Sequence, residues 1–381
     1  MVEALTSSAH LQTAGPAGDS GTGVGILKNR VPSANPPVKL GLFFFSDDES
    51  HLDAGDKYGL LLECARLADR HGLHAVWIPE RHFNPVGGLY PNPSVLAAAL
   101  AVLTHRIRIR AGSVVLPLHN VVRVAEEWSV VDNLSQGRVD LALASGWDPD
   151  DFTLTSPDHY HRRRDLLFES LETLRELWRG EPIHSVRGNV RTAGLTVHPS
   201  PIQKHLNCWI STSSKSPDTW GRAAETGENI LTALLLQSPG DLARQIRDYH
   251  GALRRHGFDP RTREVTLMLH TFVGDDDAAV RHLVKPTLLE YLRNHIDHYG
   301  GTIEAGRVLT DGDKATLAEL SFDRYFEGSG LLGSMDTCER MIRRMESLGV
   351  TEIACLIDFG LERERVLEGV RKLGALNARL H

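Results

Sequence analysis

The sequence predicts a (β/α)8 TIM barrel with insertions, on three observations. Apolar strand-like runs alternate with helical stretches eight times along 381 residues. Several of these runs are near-continuous Val, Ile and Leu, the composition of strands covered on both faces. Six of them stop abruptly in polar or ionisable residues: Glu80-Arg81-His82, Ser145-Gly146-Trp147, Ser211–Ser214, Gln237-Ser238, His270 and Asp358. A barrel of this kind gathers its chemistry where the strands end. The repeated pattern therefore points to an enzyme site assembled from many strand ends.

Each element has its own justification. Residues 1–37 are rich in Ser, Thr, Ala, Gly and Pro without an apolar period, and read as a flexible arm. The Gly21–Gly25 stretch within it lacks the preceding strand that a phosphate loop requires. Val38–Phe45 is the first strand. Tyr58–Arg70 carries Leu61, Leu62, Ala65 and Ala68 near helical spacing, with Gly72 placed for a C-cap. Ala75–Ile78 is the second strand. Pro93–Leu103 is a helix with Asn92 as N-cap and proline at its first position. Ile107–Leu116 (strand), Val121–Leu134 (helix), Val139–Ala144 (strand) and Arg163–Trp178 (helix) follow. From Gly180 to Asn207 the pattern lapses into what reads as an inserted hairpin. It resumes with strands at Cys208–Ile210, Ile230–Leu236 and Glu264–Val273, each followed by a helix. Residues 299–334 read as a second, irregular insertion with a short helical stretch near Ala315–Phe326, and their glycines suit a lid. Asp336–Leu348, Ile353–Ile357 and Glu362–Leu380 close the chain as helix, strand and helix. Residues 38–381 thus form one barrel domain. Regular βα alternation with eight strands favours closure over an open sheet.

Composition narrows the function. A net charge of −7 leaves no basic surplus for nucleic acid. Four scattered cysteines without a CxxC pair read as buried free thiols in a reducing cytoplasm. No apolar run approaches a membrane span and no secretory signal opens the chain, so a cytoplasmic location is expected.

Among the strand ends, His82 is the side chain suited to moving protons near neutral pH, and Arg81 would act as a fixed positive charge. Ser211–Thr219 contains hydroxyls and Lys215 ahead of a helix, which fits either an anion cradle or an ordinary N-cap loop. Arg162–Arg164 at the expected start of a helix oppose its dipole, which suggests a bound anion or a carboxylate partner such as Asp165 or Glu169. His159 and His161 lack companion ligands, so no metal is expected.

These stretches resemble the luciferase-like flavin-dependent monooxygenases, the family of bacterial luciferase, from Val38 to the C-terminus. The resemblance is carried by Val76–Phe83, by Ala111–His119 continuing through Arg123, Glu126 and Asp132–Arg138 to Gly146, and by Trp209–Gly227. It implies a (β/α)8 barrel, usually dimeric, that binds reduced FMN supplied by a separate flavin reductase and uses O2 to oxygenate its substrate. By motif, catalysis would fall to Glu80, Arg81 and His82. The FMN phosphate would be held by Lys215, Ser216 and Thr219 with Arg163 nearby. The ring would lie over Ser113, Val114 and Val115, where the family often has a non-prolyl cis peptide, flanked by Ser145, Gly146 and Trp147.

Arg81 stands where luciferase has the first of two histidines, and Ala144 and Ser145 replace its reactive cysteine and the arginine beside it. Aldehyde oxidation with light emission is accordingly not expected. The Glu80–Phe83, Gly87–Pro93 and Leu267–Phe272 stretches are similar to a subgroup from peptide and polyketide natural-product pathways, which implies a small-molecule or carrier-protein-tethered substrate. The alternatives are an F420- or flavin-dependent oxidoreductase without oxygen insertion, and a non-catalytic flavin-binding or scaffold protein of the same fold.

Overall fold

A computed structural model describes residues 37–46, 56–183, 186–187, 190–191, 194–212, 217–234, 237–300 and 310–381. All but the last residue of the expected N-terminal arm lies outside them. The strands are β1 (Lys39–Phe43), β2 (Ala75–Ile78), β3 (Arg108–Val115), β4 (Val139–Ala144), β5 (Val186–Arg187), β6 (Val190–Arg191), β7 (Cys208–Ser211), β8 (Asn229–Ala233), β9 (Val265–Gly274), β10 (Leu331–Ser334) and β11 (Glu352–Leu356). The helices are α1 (Gly59–Arg70), α2 (Pro93–Leu103), α3 (Val121–Ser135), α4 (Pro157–Trp178), α5 (Pro217–Thr226), α6 (Pro239–Arg255), α7 (Asp277–Gly300), α8 (Asp311–Gly328), α9 (Met335–Ser347) and α10 (Arg363–Leu380).

Eight strands pair in parallel around a closed ring, β1-β2-β3-β4-β7-β8-β9-β11 and back to β1. The predicted barrel is therefore the observed one. Side chains alternate along each strand. Leu40, Leu42, Val76, Ile78, Leu141, Leu143, Ile353 and Cys355 pack outward with the helices. Phe43, Ala75, Trp77, Ala142, Trp209, Phe272, Ala354 and Leu356 belong to a separate cluster that fills the interior.

The N-terminal end of the interior is closed by a buried ionic group. Arg110 is 1% exposed, donates to Asp140 at 2.8 Å and to Glu352, and stacks between Trp209 and Trp77. Burial opposes its charge, but Glu352 and Asp140 outweigh burial and raise the Arg110 pKa further. His74, Glu264 and Glu352 have ligand atoms within 4.8 Å of one another, yet Lys39 and Arg110 already neutralise the carboxylates there.

Three elements differ from the sequence reading. β9 is the strand expected at Glu264–Val273, but its Thr271–Gly274 end pairs with an additional strand, β10, so His270, read as the stop of an apolar run, lies within the strand and shares the inward phase of Met268 and Phe272. The stretch expected to be largely irregular after residue 299 contains the full helix α8, whose Phe322, Tyr325 and Phe326 are buried. Residues 301–309 lie outside the described set. Finally, α4 begins at Pro157, not Arg163, so the three arginines sit in its second turn and Arg162 pairs with Glu169 at 3.2 Å. Between α4 and β7, the antiparallel pair β5–β6 forms a short hairpin. The four cysteines are buried and free.

Candidate active site

The site begins with Glu80, which follows β2 with its carboxylate withdrawn from solvent. Oε2 accepts from the Val115 backbone N–H at the end of β3, 2.8 Å away. Oε1 meets two imidazoles, His82 Nε2 at 2.8 Å and His119 Nε2 at 2.6 Å. Burial would raise the Glu80 pKa, but the bonds from His119, His82 and Val115 outweigh it and hold the acid below its ordinary value. His119 is pulled down by burial and up by Glu80, and Glu80 wins, leaving its pKa raised. His119 was missed in the sequence reading. Its signal was position: it follows the end of β3 just as Glu80 follows β2.

A β-bulge re-aims the end of β3. Gly112 pairs with Ala142 but Val114 pairs with Leu143, which leaves Ser113 as an extra residue. Before the bulge Ile109 and Ala111 face the helices; after it, Val114 does. Ser113 thus turns inward, and its hydroxyl reaches Ser211 at 2.8 Å, two strands away. Ala144, the register partner of Val115 on the intervening strand, carries only a methyl group. The side chain of Val114, expected to contact the cofactor, instead packs in the outer core. The described residues contain one cis peptide, His198–Pro199, so the irregularity at the end of β3 is the bulge and not a cis bond.

The loop after β4 carries Ser145, Gly146 and Trp147. Gly146 has φ +79°, and a Cβ there would lie 3.0 Å from Val115 Cγ1 and 3.1 Å from the Phe152 ring, so this approach requires glycine. Arg163 donates from Nε to the Gly146 carbonyl at 3.2 Å and lies over Tyr160, which brings α4 to the same loop. Trp147 is half exposed, with the Arg81 guanidinium 4.5 Å from its ring centre. Arg81 is buried and pairs with Asp148 at 3.4 Å. Thr219 is half-buried in the first turn of α5; Lys215 and Ser216 lie outside the described residues. Phe83, directly after His82, has φ +52° and is 68% exposed, a strained conformation of the kind that collects at functional sites.

Asp358, after the end of β11, and His270, within β9 and level with that end, complete the rim. Asp358 accepts from Phe45 N at 2.7 Å, from the Tyr90 hydroxyl at 3.0 Å and from Ser46, and burial raises its pKa. His270 Nδ1 lies 2.6 Å from the Tyr325 hydroxyl, beside Tyr291 and Phe359. The arrangement offers a buried carboxylate-bound imidazole pair, the paired hydroxyls of Ser113 and Ser211, a bulged strand end, and the Arg163 guanidinium held against the Gly146 loop. That donor set suits a flat heteroaromatic ring with an anionic tail.

The fold and the rim define a barrel enzyme class. The family model for luciferase-like monooxygenases matches residues 38–352, and the chain belongs to that family. It is similar to the oxygenase component of the flavin-dependent trigonelline monooxygenase of Acinetobacter baylyi, 24% identical over 319 residues that cover 81% of this chain and 85% of the relative. Two solved structures share the fold. The oxygenating constituent of 3,6-diketocamphane monooxygenase from Pseudomonas putida, in complex with FMN, has a TM-score of 0.72 at 19% identity, over 90% of this chain and 98% of that one. The coenzyme F420-dependent tetrahydromethanopterin reductase of Methanopyrus kandleri has a TM-score of 0.66 at 16% identity, over 89% of this chain and 98% of that one. No described helix is long and apolar enough to cross a membrane.

Proposed function

We propose that the protein is the oxygenase of a two-component system, using reduced FMN and O2 to oxidise a peptide or polyketide intermediate, free or tethered to a carrier protein. The observation that carries this reading is Glu80, which joins the bulged end of β3 to His82 and His119 at the C-terminal mouth. When bound, the flavin supplies the activation of oxygen. Arg163, Thr219, Lys215 and Ser216 would hold its phosphate, and Ser113, Val115, Ser145, Gly146 and Trp147 its ring. Glu80 fixes the orientation of His82, and the imidazole of His82 accepts or returns the proton that the oxygenation requires. Arg81 provides fixed positive charge beside it. The interior cluster below the rim keeps bulk water from that end of the barrel.

The expected homodimer has a candidate face: Val95 and Val102 on α2 and Val130 and Leu134 on α3 are exposed apolar residues on packed neighbouring helices. A cytoplasmic setting, with a separate flavin reductase as partner, fits this role.

The test is to mix the protein with photoreduced FMN, admit air and record flavin absorbance and oxygen uptake. The protein binds reduced FMN and alters its reoxidation relative to free flavin, and His82→Ala changes that time course. Tight F420 binding with no FMN binding would instead establish the hydride-transfer alternative. Binding of flavin without any effect on its oxidation would indicate a scaffold.

A further inference from the structure

We propose that Arg81 and Asp151 form a polar anchor for the substrate that takes an uncharged amide, whose carbonyl accepts from the Arg81 guanidinium and whose N–H donates to the Asp151 carboxylate. The inference rests on the active-site reading above and adds to it the class of group that is recognised.

Arg81 is 5% exposed and Asp151 4%, yet Nη1 of the arginine and Oδ1 of the aspartate are buried without a hydrogen-bond partner. Buried charged groups are rarely left so, and each such case calls for a missing partner. The two belong to one neighbourhood. Asp148 occupies Nη2 of Arg81 at 3.4 Å, and Trp147 stacks on the guanidinium. Arg81 is the strongest charge acting on Asp151, followed by Asp148, His82 and Glu80. The residue after Asp151, Phe152, packs against Gly146, which pins the Asp150–Leu154 turn to the loop after β4.

The chemistry of the occupant follows from the charges. Asp148 and Asp151 outnumber Arg81, and Glu80 is already met by His82 and His119, so the cluster disfavours a carboxylate or phosphate. An ammonium group would pair with Asp151 but leave the Arg81 donor unmet. A neutral group with an acceptor beside a donor satisfies both, and the amide is the form that peptide and carrier-bound intermediates supply.

The first measurement needs no ligand. An aspartate kept for binding is costly to the free protein, so Asp151→Asn raises the melting temperature of flavin-free protein at about pH 8. The gain shrinks toward about pH 4, because burial pushes the Asp151 acid from 3.8 up to about 6, and an acid so raised loses stability as the pH climbs through that window. A lower melting temperature for the variant at both pH values would make Asp151 a structural carboxylate and overturn the anchor.

The second measurement compares S-acetyl-N-acetylcysteamine with its acetate ester analogue, in which oxygen replaces the amide N–H, by ligand-observed NMR. Wild-type protein prefers the amide by roughly tenfold or more, since the ester leaves Asp151 unmet. Asp151→Leu abolishes the preference and Arg81→Met weakens both probes. Equal binding of the two probes to the wild type, or a preference that survives Asp151→Leu, refutes the proposal. FMN binding, read by fluorescence on the same samples, reports the flavin assignment separately: an intact amide preference without FMN binding retains the anchor and removes only the flavin.

Discussion

Glu80→Gln tests the centre of the site without reference to any substrate. The wild-type carboxylate is withdrawn from solvent and serves three donors, Val115 N–H, His82 and His119. An amide of the same shape keeps an oxygen for Val115 but turns an NH2 group toward two imidazole nitrogens. All three charge-assisted hydrogen bonds become neutral ones, and a protonated His119 loses its counter-charge. Charge-assisted bonds contribute ~1.5–3 kcal/mol against ~1 kcal/mol for neutral ones, so the loss is about 2 kcal/mol after the relief of burying one charge less. Its pH dependence is distinctive. The Glu80 pKa lies below its ordinary 4.5, so its contribution is present above that value and lost as the pH falls through the depressed folded value. His119 lies above its ordinary 6.5, so its contribution is complete below that value and lost as the pH rises through the elevated one. The stability difference between wild type and Glu80→Gln is therefore largest between the two and falls on both sides. Thermal or urea unfolding of flavin-free protein across about pH 3 to 9 measures it. A difference independent of pH, or one that grows steadily toward alkaline pH, would refute the shared-carboxylate reasoning.

Other outcomes follow from the same structure. Arg110→Met strands Asp140 and Glu352 without their cation and destabilises the protein by about 3–5 kcal/mol, the usual cost of breaking a buried pair, read by denaturant unfolding. Arg163→Ala removes the tether from α4 to Gly146 and weakens FMN binding roughly tenfold in a fluorescence titration, with little change in melting temperature. Val102→Glu with Val130→Glu places charges on the exposed apolar face of α2 and α3; if the proposed homodimer uses this face, light scattering shows the dimer mass for the wild type and the monomer mass for the variant, and an equal mass for both would exclude this face. Gly146→Ala forces a side chain into Val115 and Phe152 at positive φ and lowers stability by about 1–3 kcal/mol, together with FMN affinity.

Two of the motif residues fasten elements of the fold to one another. Asp132 accepts from the backbone N–H groups of Ile202 and Gln203 and from the Gln203 side chain, fastening the chain before β7 to α3. Arg138 donates to the carbonyls of Ala101, Thr104 and Ile107 and secures the end of α2. A spacing pattern cannot separate such fasteners from chemistry, because both demand a particular side chain at a particular place.

The closed barrel and the end at which its polar strand-end groups gather were legible in the sequence alone, because strand burial and βα alternation are local periodicities written directly in residue order. Glu80, Arg81 and His82 could be singled out for the same reason: they are contiguous and interrupt an apolar run. Pairing Glu80 with His119, turning Ser113 inward to Ser211, setting Arg81 beside Asp151 and joining the end of β9 to β10 were decided only in three dimensions. Each depends on residues 30 or more positions apart, or on a one-residue bulge that reverses which face a side chain takes. Hydrophobic pattern specifies which residues must leave water, while register and strand neighbours specify which of the remaining polar groups meet.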